Sequence, residues 1–154
     1  MRPIPLTDWI NSGRYPFFAD PNAMNDGEHL GWHHVASKLL GLEPKYSGAN
    51  YNGQLISWRR SHLTELHRRL EQVSPTLWTT TIARQGTISE YILYGNFIDR
   101  VLDGSPDQYQ RYTNSRVYSC WTQSQLQEFR QSDRKFAGDI VAVHLQSNLG
   151  LSYR

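Results

Sequence analysis

The chain has 154 residues, enough for one domain with a real core, and 38% hydrophobic with 19% charged residues is typical of an ordered protein. Its formal net charge of +2, from 16 basic and 14 acidic residues, does not favour a nucleic-acid-binding protein, because such proteins carry a strong basic footprint. The sequence has a single cysteine, so it predicts no internal disulfide. It has no apolar run near the roughly 20 residues that a membrane span needs. Since Met1–Pro5 also lacks an apolar leader, we expect a cytoplasmic protein.

In chain order, the first predicted elements are a short strand at Tyr15–Ala19 and a helix from about Gly27 to Leu40. Asp26 is a candidate N-cap for that helix, and Gly41 can end it. Its apolar residues recur at helical spacing; they are Trp32, Val35, Ala36, Leu39 and Leu40. After a loop, Gln54–Trp58 is predicted to be a short buried strand.

The middle of the chain predicts three helices. The first spans about Ser61–Val73 and carries one apolar stripe. Pro75 is predicted to open a second, short helix, because proline suits the first helical position. Ser89 is predicted to cap the third, which runs to about Leu102. The expected buried side of the short helix consists of Leu77, Trp78 and Ile82.

The last third predicts a strand at Arg116–Tyr118, a helix from a capping box at Thr122–Gln125 to about Arg130, and a final strand at Ile140–Leu145. The final strand is apolar enough to be central in a sheet. Helices thus alternate with few strands. The predicted fold class is α/β or α+β, with helices packed on a small mixed sheet and residues 1–154 forming a single domain or part of one.

Glu90 is the leading candidate for chemistry. Its carboxylate would stand in the first turn of a helix, beside the positive end of the helix dipole. There it can accept a proton or a hydrogen bond from a sugar hydroxyl. The alternative is a surface glutamate that only stabilises the helix N-terminus.

A second candidate is the amide-rich stretch 49–54. Amides both donate and accept hydrogen bonds, which suits hydroxyl-rich ligands, and Gly53 lets backbone approach a ligand closely. The alternative is an ordinary Asn/Gly turn. Aromatic residues make up 12% of the sequence, with five Trp and nine Tyr. Their side chains can stack on sugars or pack in the core.

The histidines and the cysteine give weaker signals. His29 and His33 are spaced i, i+4 and could share a metal, but no third ligand is evident. His144 lies in the last strand before a polar strand end, where α/β folds often bind ligands. A packed or solvated side chain is the alternative for each of them. Cys120 has no partner base in the sequence and is predicted to be a buried thiol.

Several short segments, taken in order, resemble a known family. They are Gly31–His33, Tyr51–Arg60, Ser89–Gly95, Ser119–Trp121 and His144–Ser147. The most specific is Ser-Glu-Tyr-x-Leu-Tyr-Gly, which follows a Trp-Arg-Arg segment. From about Arg2 to Leu149 the sequence resembles the C-terminal part of a bacterial family of glycosyltransferase-like proteins, mostly catalogued as a domain of unknown function. The resemblance implies the C-terminal half of a nucleotide-sugar transferase fold with one Rossmann-like sheet.

The resemblance also implies roles for individual residues. Glu90 would be the catalytic acid or base on the acceptor side, and His144 would lie near the phosphates or bind the metal. A divalent Mn or Mg ion would be the cofactor, and a sugar acceptor and a nucleotide sugar would be the partners. The implied substrate-binding residues are Tyr51, Gly53, Gln54, Trp58, Arg59, Tyr91, Tyr94, Trp121 and Gln146.

The sequence departs from the family pattern because it contains no Asp-x-Asp motif, the acidic metal anchor expected in the nucleotide-binding half. We therefore expect a hexosyl transferase that is inactive unless an N-terminal half or partner chain completes it. The alternative is a non-catalytic carbohydrate-binding or protein-interaction module. A nucleic-acid-binding role would rest only on an arginine cluster, which solvated helix-face side chains explain better. That cluster consists of Arg59, Arg60, Arg68 and Arg69.

Overall fold

The computed structural model describes residues 13–21, 27–53, 56–112, 117–132 and 142–145. Within these ranges the chain forms five helices and four short strands, a mixed α/β arrangement, as predicted. The helices are α1 (Gly27–Leu39), α2 (Arg60–Val73), α3 (Trp78–Ala83), α4 (Glu90–Arg100) and α5 (Gln123–Gln131). The strands are β1 (Tyr15–Phe18), β2 (Tyr109–Tyr112), β3 (Val117–Cys120) and β4 (Ala142–Leu145).

The strands form two parallel pairs. In the first pair β1 lies beside β2, with Tyr15 opposite Tyr109. In the second pair β3 lies beside β4, with Cys120 opposite Leu145. A parallel pair needs a long crossover, and helices α1 to α4 all lie between β1 and β2 in the chain. Within the described ranges the two pairs are separate two-stranded sheets, so the single sheet implied by the resemblance stays a prediction.

Helix α4 is the centre of the main hydrophobic core. Its residues from Ile92 to Ile98 are all buried, because α1 and α2 pack against it and β2 contributes Tyr109. The packing is close at Gly95, where an added Cβ would lie only 2.0 Å from the ring of Tyr51. A smaller cluster around Cys120 and Leu126 joins β3, β4 and α5. Cys120 is fully buried, which confirms the predicted buried thiol.

Local sequence signals explain where several helices begin and end. The Ser89 hydroxyl accepts a hydrogen bond from the backbone N–H of Ile92 at 3.4 Å, which caps α4. At α5, Thr122 and Gln125 form both hydrogen bonds of the predicted capping box. Gly41 has φ +65°, the left-handed conformation that ends α1 at little cost.

Two predicted elements are wrong in the described ranges. Residues 56–58 form no strand, and Trp58 is 46% exposed rather than buried, because this segment leads directly into α2. The short helix begins at Trp78, not Pro75, because the N–H of Ser74 still bonds to Leu70 at the end of α2. Leu77 then precedes α3 and is 68% exposed, contrary to the expectation that it is buried.

Strand β2 was not predicted from the sequence, because its Tyr-Gln-Arg-Tyr pattern lacks a run of apolar residues. The final strand is observed only over Ala142–Leu145; the start of the predicted element, like Asp26 and Arg116, falls outside the described residues. Where the structure is described, none of the helices has the length and apolar character of a membrane crossing.

Candidate functional site

A cavity of about 290 Å³ gathers residues that are distant in the sequence. Its walls come from the loop after residue 50, the first turn of α4, the residue after β3, and β4. The lining residues are Asn52, Gly53, Tyr91, Trp121 and His144. Four of these five were singled out in the sequence, and the fold brings them together. Asn52 belongs to the amide-rich stretch but was not itself selected.

Trp121 forms the exposed aromatic wall of this cavity and is 48% exposed. It stands between β3 and α5, where its backbone N–H donates to Oε1 of Gln125 at 2.8 Å. The same Gln125 side chain accepts from the backbone N–H of Thr122 at 3.0 Å as part of the capping box. The capping box therefore fixes the backbone that presents the indole ring.

His144 lies beside Trp121, with ring centroids 4.6 Å apart and the planes inclined at 56°. Its position in β4 opposite Ser119 sets this proximity. Nδ1 of His144 is buried and has no hydrogen-bond partner among the described residues.

The loop wall of the cavity is a tight, internally bonded turn. Asn50 pairs with Asp20 through backbone hydrogen bonds of 2.9 Å in both directions. The Asn50 side chain accepts from the N–H of Asn52 at 2.8 Å, and Gly53 donates to the carbonyl of Tyr51 at 3.0 Å. These bonds hold the backbone of Asn52 in a defined place at the cavity wall.

Glu90 and Tyr91 open α4 next to the cavity. Tyr91 is half-buried and lines it, while Glu90 is exposed and does not form part of the lining. Glu90 is held at the first helical position by the Ser89 cap, as predicted. The structure therefore places the predicted catalytic carboxylate one residue from the cavity wall, facing solvent. Its catalytic role stays a prediction.

Tyr51 lies in the core instead of on the cavity wall. It is 2% exposed, and its hydroxyl donates to Oδ2 of Asp99 at 2.5 Å. Asp99 also forms an ion pair with Arg111 of β2. Burial, reinforced by the negative charge of Asp99, raises the pKa of Tyr51 well above its ordinary value, so the hydroxyl stays protonated and acts as a donor.

Tyr94 is also buried, where it holds the segment that carries Trp58 and Arg59. Its hydroxyl accepts from the backbone N–H of Arg59 at 3.1 Å and lies 3.2 Å from Nδ1 of His62. The other His62 nitrogen lies 3.3 Å from the hydroxyl of Tyr109. Burial lowers the pKa of His62 and raises that of Tyr94, so both are neutral near pH 7. Sequence reasoning missed His62. The available signal was its spacing of four residues from Leu66, which places it on the apolar side of α2.

The remaining predicted substrate-binding residues lie at the edge of the cavity or outside the described ranges. Trp58 is exposed, with its ring 6.1 Å from that of Tyr91. The exposed Arg59 has its guanidinium 6.0 Å from the ring centre of Tyr15. Gln54 and Gln146 lie outside the described residues. The substrate-binding roles of all these residues stay predictions.

The residues described do not bring together three His, Cys, Asp or Glu side chains that could hold a metal ion. His144 has Trp121, not a carboxylate, as its ring neighbour. The predicted metal role of His144 therefore lacks further ligands within those residues. It stays an expectation drawn from the resemblance.

Comparison with known proteins gives one match. The model of a family described as "Family of unknown function (DUF6492)" matches residues 1–152. No curated protein and no solved structure matches the chain. Because the family match spans nearly the whole sequence, the chain belongs to the DUF6492 family of unknown function.

Proposed function

We propose that the cavity lined by Trp121, Tyr91 and Asn52 binds a sugar, as the acceptor site of a glycosyltransferase-like protein. The observation that carries the proposal is the combination of an exposed indole with uncharged hydrogen-bonding groups around one small cavity. A pyranose has an apolar face of C–H groups, which packs on an aromatic ring, and a rim of hydroxyls, which amide and imidazole groups can bind.

The cavity walls supply these two kinds of contact at fixed positions. The capping box holds Trp121, and the Asn50 turn holds Asn52, so little freedom is lost when a sugar binds. The His144 side chain also lines the cavity, and an imidazole can exchange hydrogen bonds with a sugar hydroxyl. Among the described residues, the lining contains no carboxylate, lysine or arginine, which suits an uncharged ligand.

Catalysis in this proposal falls to Glu90. An exposed carboxylate next to Tyr91 can accept the proton of an acceptor hydroxyl when a sugar occupies the cavity. The family resemblance implies that the other reactant is a nucleotide sugar. It also implies a divalent metal, which would offset the negative charge of the leaving diphosphate. The described residues do not provide a set of ligands for that metal. The proposal assigns the binding groups for the metal to an N-terminal half or partner chain.

The sugar-binding step is tested with a glycan array followed by calorimetry on the glycans that bind. Trp121→Ala should weaken binding at least about 10-fold, because it removes the stacking surface. The matched control is Leu77→Ala, which also truncates an exposed apolar side chain but does not line the cavity. An array without hits, or equal affinities for Trp121→Ala and the parent protein, would rule out this site.

The transfer step is tested on the chain completed by an N-terminal half, by supplying uridine or guanosine diphosphosugars and manganese together with the bound glycan. If transfer occurs, Glu90→Gln should lower its rate by about 100-fold, with glycan affinity retained. An unchanged rate removes Glu90 from the mechanism. Glycan binding without transfer favours the second candidate, a non-catalytic carbohydrate-binding module. That candidate is supported by the absence of Glu90 from the cavity wall itself.

A further inference from the structure

The two exposed tryptophans of the described residues share one neighbour. The structure describes four tryptophans; Trp58 and Trp121 are 46% and 48% exposed, whereas Trp32 and Trp78 are partly buried. Tyr91 lines the cavity with Trp121, and its ring centroid also lies 6.1 Å from that of Trp58. Tyr91 thus lies beside one exposed indole and lines a cavity with the other, and we call these three residues the aromatic strip (Trp121, Tyr91 and Trp58).

Trp58 is held in its exposed position by bonds on both sides. The hydroxyl of Ser57 donates to the carbonyl of Pro16 in β1. On the other side, the N–H of Arg59 donates to the buried Tyr94 hydroxyl at 3.1 Å. The Trp58 ring is therefore presented at the surface by a fixed backbone, beside a residue that lines the cavity. Such a fixed ring also binds with a small entropy loss.

The cavity is too small for more than a short part of a glycan. At about 290 Å³ it lies at the lower end of the range for ligand pockets, roughly 300–1,000 Å³. It therefore suits a single sugar unit. A second unit attached to the first would have to lie outside the cavity, and the aromatic strip leads from the cavity past Tyr91 to Trp58.

The charge around the strip favours a neutral ligand. The part of the cavity lining that the structure describes has no Asp, Glu, Lys or Arg side chain. Arg59, the nearest cation in sequence to Trp58, has its guanidinium against Tyr15 at 6.0 Å. Glu90 precedes Tyr91 and would repel an acidic sugar.

We infer that the ligand is an uncharged glycan of at least two sugar units, with one unit in the cavity against Trp121 and the next stacked on Trp58. This inference rests on the proposed sugar-binding function and adds the length and charge of the substrate. It makes Trp58 a specificity-determining residue that selects for chain length. A protein-interaction surface at the same strip is the competing occupant that the test distinguishes.

The test measures affinity as a function of glycan length. The probes are one-, two- and three-unit series of glucose, mannose, galactose and N-acetylglucosamine, titrated by calorimetry. For the series that binds, the parent protein should bind two or three units at least about 10-fold more tightly than one. Trp58→Ala should reduce this ratio to near 1, Trp58→Phe should keep part of it, and Leu77→Ala should keep all of it. Circular dichroism and thermal melting verify that each variant is folded.

Four outcomes overturn the inference. In the first, the parent protein binds one sugar unit as tightly as three, and Trp121→Ala still abolishes binding. That result overturns the inference about length but leaves the proposed function intact. A second is a length ratio that Trp58→Ala does not change, particularly if that variant instead alters the oligomeric state in sedimentation. The third is the absence of binding to any probe, which also removes the proposed function. Tighter binding of uronic acid or sialic acid glycans than of neutral ones would refute the neutral charge.

Discussion

His33 shows how a histidine that sequence reasoning considered for a metal can instead belong to the core. It is completely buried on α1. Its Nδ1 lies 3.0 Å from Nδ2 of Asn96, and that same amide nitrogen donates to the carbonyl of Ile92 at 2.9 Å. Since Nδ2 of Asn96 is a donor, Nδ1 of His33 must accept and carry no proton. The imidazole is therefore neutral in the folded protein.

This arrangement predicts that the protein loses stability in acid. Burial lowers the pKa of His33 from 6.5 to about 4. Between these values the unfolded chain holds the proton and the folded chain does not. The stabilising contribution of His33 is thus complete above pH 6.5 and is lost as the pH falls from 6.5 towards 4, by up to about 3 kcal/mol.

Urea unfolding at pH 7 and pH 4.5 measures the effect, with His33→Gln as the comparison. The variant should lose less free energy of unfolding between the two pH values than the parent protein. Some dependence should remain, because burial also lowers the pKa of His62 in the same direction. If both proteins show the same pH dependence, proton exclusion from His33 does not contribute.

At the scale of single elements, α4 is the helix on which both the core and the candidate site depend. Its first turn supplies Glu90 and Tyr91, and its middle packs so closely that Gly95 has the ring of Tyr51 against it. A methyl group at Gly95 would lie 2.0 Å from Cγ of that ring. Tyr51 cannot move aside easily, because its hydroxyl is bonded to Asp99.

Gly95→Ala should therefore destabilise the protein by about 3 kcal/mol or more, although alanine is the better helix former. The matched control is Gly31→Ala in α1, where nothing lies within 4 Å of the added Cβ. That change should stabilise the protein by up to about 1 kcal/mol. Thermal melting of both variants decides the point. A Gly95→Ala variant as stable as the parent protein would contradict the close contact.

The elements that could be predicted from the sequence are those whose signals are local. The Ser89 cap and the Thr122–Gln125 capping box depend on residues three positions apart, and both form as predicted. The strand predicted at Gln54–Trp58 is wrong over residues 56–58, which the structure describes. An apolar pattern indicates burial only if another element covers it. Pro75 failed as a helix start because the end of α2 already uses the N–H of Ser74.

At the largest scale, the cavity lies between the elements that carry the two hydrophobic clusters. Tyr91 is in α4, the centre of the main core, whereas His144 is in β4 and Trp121 directly follows β3, the two strands of the smaller cluster. Among the described residues, that smaller group has two buried side chains, Cys120 and Leu126. Within the described ranges, one wall of the site is therefore stabilised by little apolar area.

Hydrogen exchange should reveal this difference. Amides of Val117–Cys120 and Gln123–Gln131 should open at a free energy on the order of 2 kcal/mol lower than those of Ile92–Ile98, because they have fewer buried contacts. A glycan that spans the cavity should slow exchange in the smaller group more than in α4. Equal protection of both groups in the free protein would contradict the prediction.

The sequence by itself determined the mixed α/β class, the position of most helices, the two helix caps and the burial of Cys120, since each depends on short-range pattern or on composition. It also identified most of the residue types at the site. Only the tertiary structure decided which of them meet: Tyr51 and Tyr94 turn into the core, while Gly53, Tyr91, Trp121 and His144 gather around one cavity. The physical reason is that a tyrosine or tryptophan serves equally well as core or as binding surface. The parallel pairing of strands distant in the chain places Trp121 beside His144, and no local signal encodes that pairing.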